Sequence, residues 1–130
     1  MNPISDRVAT GTIGEILVQL RLLQHGVQAA PPIKDSGNDL IAVNGRTFRA
    51  ISVRTTTNGR YNKPPPERAY DVLAVVSLFG SGRDILLDRS NIFLIAVEDV
   101  AGASNSCNDL REWMLSEERV AHLFGTPDQG

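Results

Sequence analysis

Cysteine and lysine are scarce in this 130-residue sequence, and no long apolar run is present. Its single cysteine, Cys107, excludes an intramolecular disulfide framework and a cysteine-rich zinc site. No apolar run approaches the ~20 residues that a membrane-spanning helix needs. The first residues, MNPISDRVATG, lack the basic and apolar regions of a secretory signal. We therefore expect a cytoplasmic protein that is not attached to a membrane.

The residues that are present fit one globular domain of ordinary size. Hydrophobic residues make up 42% of the chain and charged residues 22%, which is the usual balance for a soluble protein. The formal net charge of −2 argues neither for nor against nucleic acid, because a local basic patch can oppose the mean. The chain shows no internal repeat and no linker, so residues 1–130 are predicted to form a single domain.

The spacing of apolar residues predicts a first helix from a cap at Ser5 to a stop at Gly26. The stripe expected to pack inward contains Val8, Ile13, Ile16, Leu17, Leu20 and Leu23. Gly11 and Gly14 each cost roughly 1 kcal/mol in a helix interior. Close approach of another backbone, either a sheet or a ligand, would compensate for this cost.

After a short extended piece at 27–30, the sequence predicts several strands and a second helix. The strands are expected at residues 39–43, 46–55, 71–79, 83–87 and 92–97, with Asn44-Gly45 as a hairpin turn between the first two. The run at 71–79 is apolar almost throughout, which is typical of a strand covered on both faces. Residues 56–68, TTNGRYNKPPPER, form a predicted loop.

Ser106 and Asp109 have the spacing of a capping box at the start of the terminal helix. Its stripe would contain Leu110, Trp113, Met114, Val120 and Phe124, and the helix would end at Gly125 before Pro127. These elements predict an α/β fold in one domain, with a mixed central sheet flanked by helices.

A charged residue, Asp39, opens the strand at 39–43. On the returning strand Ser52 and Arg54 share one face, because side chains alternate across a strand. If Asp39 lies on that face, it can approach both of them. Glu15 follows Gly14, a small residue that would let the helix lie close to the sheet. The sequence therefore predicts that two carboxylates and a cation converge at one edge.

Three segments in this order, GTIGEILVQLRLLQHG, SGNDLIAVNG and RAISVRTT, resemble the PD-(D/E)XK nuclease superfamily. The resemblance is to its small members, which include Holliday-junction resolvases and certain homing endonucleases, and it covers roughly residues 8–97. It implies a restriction-endonuclease-like core and a Mg²⁺-dependent endonuclease that cleaves DNA, with Mn²⁺ as a plausible substitute. It also implies a homodimer or larger homo-oligomer, using strands or the apolar stripe near Trp113.

The resemblance implies a role for five residues. Asp39 would be the central metal ligand, with Glu15 and the Val53 carbonyl as further ligands, and Ser52 and Arg54 would complete the catalytic set. The chain departs from the family pattern at two of these positions, because Ser52 replaces Glu or Gln and Arg54 replaces Lys. Arginine stays protonated and cannot act as a base, but it can clamp a phosphate. Lys63 or Lys34 would restore a lysine if either entered from a loop.

Each of these positions also has a structural interpretation. Glu15 is equally a solvated helix residue and Asp39 a turn residue at the strand entry. Arg54 would pair with Asp39 and Glu15 in place of a metal. The cations of the predicted loop, Arg60, Lys63 and Arg68, either contact DNA phosphates or are solvated. A second hypothesis is accordingly a non-catalytic relative that binds nucleic acid or a protein partner.

Overall fold

A helix of 19 residues, α1 (Asp6–Gln24), begins the part of the chain that the computed structural model describes, which comprises residues 6–33, 38–65, 69–80 and 82–126. Gly26 follows the helix with a φ of 82°, the left-handed conformation that commonly ends helices. The predicted stop is therefore confirmed. The predicted cap, Ser5, lies outside the described residues.

Five strands form one mixed sheet in the order β1-β2-β3-β4-β5. Their bounds are β1 (Gln28–Ala30), β2 (Leu40–Asn44), β3 (Thr47–Thr56), β4 (Val72–Phe79) and β5 (Leu86–Ala96). β3 and β4 are parallel, and all other neighbours are antiparallel. β4 is an interior strand whose residues 72–76 are all buried, which confirms the prediction for this apolar run.

Helices and turns cover both faces of the sheet, which confirms the predicted α/β class. Two short helices follow the sheet, α2 (Val97–Val100) and α3 (Glu117–Phe124). On one face, α1 and α3 bury a core that includes Leu22, Ile51 and Phe124. On the other face, α2 and the neighbouring loops pack over Leu73 and Val75. None of the described helices has the length and apolar character needed to cross a membrane.

The face of α1 that packs on the sheet matches the predicted stripe only in part, at Leu17 and at Ile13, which packs against the core. The helix residues in the core are Leu17, Val18 and Leu22. Three residues expected to face inward are instead largely exposed, with exposed fractions of 57%, 48% and 57% for Ile16, Leu20 and Leu23. Both sets have three-to-four spacing, so periodicity alone does not decide which one is buried.

Gly14 determines which of the two stripes is buried, because the helix approaches β3 at this residue. A Cβ placed on Gly14 would lie 2.8 Å from Cγ2 and 2.9 Å from Cβ of Thr55, closer than real Cβ contacts occur. Gly14, Val18 and Leu22 follow one another at four-residue spacing, so they share one side of the helix. That side therefore faces the sheet, and the compensation expected for Gly14 is a sheet strand.

The hairpin between β2 and β3 turns one residue later than predicted. Asn44 pairs with Thr47, so the two-residue loop is Gly45-Arg46 and not Asn44-Gly45. Gly45 has a φ of 60°, and a positive φ is what the first central residue of a tight hairpin turn needs. The Asn44 amide is used elsewhere, since it donates to the Phe124 carbonyl at 2.9 Å.

The two strands predicted at 83–87 and 92–97 are one long strand, β5. Its first four residues are exposed and its last five are buried, so the apolar pattern weakens at the middle although the backbone continues. The pairing with β4 changes register between Ser77 and Phe79. A local irregularity of this kind is accommodated within a continuous ladder.

The terminal helix predicted from Ser106 is also wrong. Residues Cys107–Asp109 and Arg111–Trp113 form two short 3-10 turns, and α3 begins only at Glu117. Ser106 makes no side-chain capping bond. The cap is Ser116, whose hydroxyl accepts a hydrogen bond from the backbone N–H of Arg119.

Pairing with β5 prevents a continuous helix in this region. The Leu115 N–H donates to the Ile92 carbonyl at 2.9 Å, and Met114 forms an antiparallel bridge to Phe93. Backbone groups used between strands are not available for helical hydrogen bonds. The apolar residues on both sides of this segment therefore belong to separate short elements.

Candidate functional site

Asp39 immediately precedes β2 and lies beside β3. Its backbone N–H donates to the Ile51 carbonyl at 3.0 Å, and its Oδ2 accepts from the Val53 N–H at 2.7 Å. The carboxylate oxygen thus replaces the backbone carbonyl that would otherwise accept the next hydrogen bond between β2 and β3. This contact fixes the orientation of the side chain and leaves the other oxygen, Oδ1, for another partner.

The Val53 carbonyl faces the same edge as the Asp39 carboxylate. In a strand, the N–H and C=O of one residue point to the same side. Because the Val53 N–H reaches Asp39, its carbonyl also points past the end of β2. Two of the oxygens assigned to a metal from the sequence therefore lie at one place in the fold.

Glu15 projects from α1 toward this edge. Burial raises the pKa of the Glu15 carboxyl above its ordinary value of 4.5, and the negative charge of Asp39 raises it further. Asp39 is thus near enough to act on Glu15 through its charge. This effect of charge is consistent with the predicted convergence of the two carboxylates, which stays a prediction.

Asn38 is a residue at this edge that the sequence did not single out. Its Oδ1 is buried and finds no hydrogen-bond donor among the described residues. A buried acceptor without a donor is costly, and in native structures it commonly indicates a water or ion at that place. The sequence offered one indication of this residue. Asn38 is adjacent to Asp39, and both side chains carry oxygens that can bind a metal ion.

Ser52 and Arg54 lie on the opposite face of β3 from Glu15. They pair with Leu73 and Val75, which belong to the core on the side away from α1. Ser52 is completely buried, and its hydroxyl has no partner in the described part of the chain. A side chain in this position does not contact a ligand in the cleft directly.

Arg54 lies near enough to Tyr70 for its charge to act on the tyrosine hydroxyl. Burial raises the pKa of the Tyr70 hydroxyl, and the positive charge of Arg54 opposes that shift. The Nε of Arg54 is buried without an acceptor among the described residues. The pKa shift of Glu15 has burial and Asp39 as its causes, so the predicted ion pair between Arg54 and the two carboxylates finds no support here.

A polar cleft of about 530 Å³ opens beside these residues. Its walls are the first half of α1, the end of β3 and the following loop, and Glu15, Val53, Arg54 and Arg60 all line it. The remaining side chains are mostly hydroxyls and amides, from Thr10, Thr55, Thr56, Thr57, Asn58 and Asn62. Asp39 does not line the cleft and reaches it only through its contact with Val53.

Of the predicted loop cations that the structure describes, Arg60 lines the cleft and Lys63 does not. The ammonium group of Lys63 donates to the Ala101 carbonyl at 3.2 Å, which directs it toward α2. Arg68 lies outside the described residues, and so does Lys34. The lysine that the site lacks is therefore not supplied by Lys63 in this structure.

The loop that forms the outer wall of the cleft is anchored at Tyr61. Its hydroxyl donates to the Ser104 carbonyl at 2.7 Å, and its backbone N–H donates to the Asn105 carbonyl at 3.2 Å. The Asn105 amide returns a bond to the Tyr61 carbonyl. Because Tyr61 is also buried, it fixes the loop instead of presenting an aromatic face to a ligand.

The two carboxylates and the Val53 carbonyl are oxygen groups of the kind that a hard divalent cation takes as ligands. Across residues 6–33, 38–65, 69–80 and 82–126, no three His, Cys, Asp or Glu side chains group together as metal ligands. Protein ligands would thus be the two carboxylates and neutral oxygens such as the Val53 carbonyl. Mg²⁺ suits such a set, since it keeps several waters and needs only one or two carboxylates.

No protein-family model matches the sequence, and no curated protein is significantly similar to it. Among solved structures, the chain is similar to a bacterial homing endonuclease, I-Ssp6803I, with a TM-score of 0.55 and 15% sequence identity. The similarity covers 78% of this chain and 72% of the endonuclease chain. At this level of identity, the likeness shows that the two chains share a fold.

Proposed function

We propose that this protein is a Mg²⁺-dependent endonuclease that hydrolyses DNA phosphodiester bonds, with Mn²⁺ able to replace Mg²⁺. The observation that supports this most directly is the raised pKa of Glu15, for which burial is the main cause and the negative charge of Asp39 the second. The fold shared with a homing endonuclease supports the same assignment. The resemblance to the PD-(D/E)XK superfamily supplies the order of the site residues.

In this proposal, Asp39 and Glu15 hold the cation together with the Val53 carbonyl. When bound there, a divalent cation neutralises charge at the phosphate and lowers the pKa of a bound water. The Val53 N–H keeps the Asp39 carboxylate in one orientation through its 2.7 Å hydrogen bond. Arg54 and Arg60, which both line the cleft, would stabilise the negative charge of the phosphate.

Ser52 would act through the packing of β3. Its hydroxyl is buried. At the position where the family carries a Glu or Gln, this chain therefore has an uncharged side chain that does not contact a ligand directly.

The alternative function is a non-catalytic relative that uses the same cleft to bind nucleic acid or a protein partner. The specific observation in its favour is the position of Ser52 and Arg54, which face Leu73 and Val75 and not Glu15. A homo-oligomer and a cytoplasmic location stay predictions for this chain.

The first test uses Glu15→Gln, which removes the charge and keeps the shape. We expect Mn²⁺ binding to fall at least about tenfold and DNA cleavage to fall with it, because one of two carboxylate ligands is lost. Calorimetric titration and cleavage of a labelled plasmid, each with and without EDTA, measure the two effects. Cleavage by the parent that persists in excess EDTA would contradict the metal-dependent proposal.

The same variant tests the pKa of Glu15 through stability. A carboxyl whose pKa is raised on folding contributes stability that is fully present below its ordinary pKa of 4.5 and is lost as the pH rises through the folded pKa. Glu15→Gln should therefore unfold at a higher temperature than the parent at neutral pH without metal. In acid below about pH 4 the difference should disappear. Equal midpoints at neutral pH would contradict a raised pKa of Glu15, whose main cause is burial and whose second cause is the charge of Asp39.

Arg54→Ala separates the two hypotheses about the guanidinium group. If Arg54 acts on the phosphate, cleavage should fall about a hundredfold, as when one transition-state donor is removed, while Mn²⁺ binding is unchanged. If Arg54 is a structural counter-charge, the variant should bind Mn²⁺ more tightly than the parent and lose a few kcal/mol of stability. Calorimetry and thermal unfolding distinguish these results. Arg49→Ala is the matched control, since Arg49 is exposed on the same strand and outside the cleft.

A further inference from the structure

Gly11 is a helical glycine that the packing of the described residues does not require. A Cβ placed on Gly11 has no heavy atom within 4 Å, whereas one placed on Gly14 would meet Thr55. Gly11 is also not among the glycines with a positive φ. Alanine would therefore fit at this position and favour the helix more than glycine does. A residue that is unfavourable for the helix and unnecessary for the packing calls for another explanation.

The open space beside Gly11 belongs to the cleft, and Gly11 forms part of the cleft wall. Gly11 lines the cleft together with Glu15, and the two residues are four positions apart, so they lie on the same face of α1. In a helix, the side chain of a residue leans over the turn on its N-terminal side. The Glu15 carboxylate accordingly leans toward Gly11. The exposed backbone at Gly11 and the Glu15 side chain therefore form one continuous part of the cleft wall.

The other walls of the cleft suit a sugar-phosphate backbone. Arg54 and Arg60 bring two positive charges to it, and the Arg54 Nε is buried without an acceptor in the described part of the chain. Thr10, Thr56 and Asn58 add neutral hydrogen-bonding groups. Phosphate contacts in proteins come from Arg and from such hydroxyl and amide side chains. The outer wall is held in place by the bonds of Tyr61, so the cleft cannot widen at low cost.

We propose that Gly11 leaves the backbone of helix α1 uncovered by any side chain. One strand of a nucleic acid can then extend from Glu15 and lie directly against that backbone. Gly11 is then a substrate-contact residue that sets how closely the strand approaches the carboxylates. This inference rests on the proposed function, and it assigns one wall of the cleft to the sugar-phosphate backbone on the N-terminal side of Glu15.

The test compares Gly11→Ala, Gly11→Leu and Thr12→Leu. Thr12 is exposed on the same helix and does not line the cleft, so it is a matched control for added bulk. We expect Gly11→Ala to raise the midpoint of thermal unfolding by about 3 °C. Gly11→Leu should bind a fluorescein-labelled DNA duplex about tenfold more weakly than the parent, with Mn²⁺ binding unchanged. Thr12→Leu should leave both affinities at the parent values.

Two results would overturn the inference alone. DNA affinity of Gly11→Leu within twofold of the parent would show that no strand contacts this wall, although DNA binding by the parent would still stand. A lower unfolding midpoint for Gly11→Ala would show that the glycine has a packing role. If the parent itself does not bind the duplex in this assay, the proposed function fails and the inference fails with it.

Discussion

Replacement of Asp39 by asparagine is expected to lower DNA cleavage about a thousandfold and to abolish measurable Mn²⁺ binding. Asparagine keeps an oxygen that can accept the Val53 N–H bond, now made to Asp39 Oδ2 at 2.7 Å, but it carries no charge for the cation. The metal is expected to supply several kcal/mol of transition-state stabilisation, and about 1.4 kcal/mol corresponds to a tenfold change in rate. Single-turnover cleavage and calorimetric titration of the same preparation measure both losses.

Asp39→Ala separates this electrostatic role from a structural one. Alanine also leaves the Val53 N–H without its acceptor, and an unpaired donor costs about 1–3 kcal/mol. We therefore expect Asp39→Ala to be less stable than Asp39→Asn while both lack metal binding. If Asp39 were only a turn residue that completes the strand pairing, Asp39→Asn would retain full metal binding and cleavage. That result would remove Asp39 from the site and leave its structural role standing.

Replacement of Gly14 by alanine should destabilise the fold by about 3 kcal/mol, at the upper end of the usual cost of overpacking. The new Cβ would lie 2.8 Å from Thr55 Cγ2 and 2.9 Å from Thr55 Cβ, so α1 must move away from β3. Because Glu15 is the next residue, this movement also displaces the carboxylate from Asp39. Chemical denaturation measures the loss of stability, and Mn²⁺ titration of the folded variant measures the displacement.

A double-mutant cycle identifies Thr55 as the cause. Thr55→Ala removes Oγ1 and Cγ2, two of the three atoms that the new Cβ would meet. Gly14→Ala should accordingly cost much less when Thr55 is already alanine, giving an interaction energy of about 1–3 kcal/mol. Additive effects of the two substitutions would contradict the close approach of helix and strand. Gly11→Ala is the control within the same helix, because a Cβ at Gly11 meets no atom within 4 Å.

Local patterns were sufficient to predict most individual elements. The first helix, its stop at Gly26, the hairpin and the interior strand β4 were recognisable because each depends on neighbouring residues or on an apolar run. The turn of the hairpin was misplaced by one residue, because Asn44 and Gly45 both suit a turn. Only the long-range bond from Asn44 to Phe124 shows that Asn44 belongs to the strand.

Errors arose where contacts distant in sequence determine local structure. The terminal region has the apolar spacing of one helix, but pairing of Leu115 with Ile92 divides it into short turns and α3. Three residues of the predicted stripe of α1, Ile16, Leu20 and Leu23, were misplaced for a similar reason. Two apolar stripes compete on that helix, and the approach of Gly14 to Thr55 selects the one that is buried.

The sequence by itself determined the class of the fold and was enough to propose the two carboxylates, since residue type and order sufficed for both. Only the tertiary structure decided what surrounds them. It placed Ser52 and Arg54 on the far side of β3 and directed Lys63 to Ala101. It also separated Gly14, which packs on Thr55, from Gly11, which lines the cleft. The physical reason is that face and direction depend on how strands pair and how closely a helix packs. Those are properties of contacts between segments distant in the chain, and no single segment encodes them.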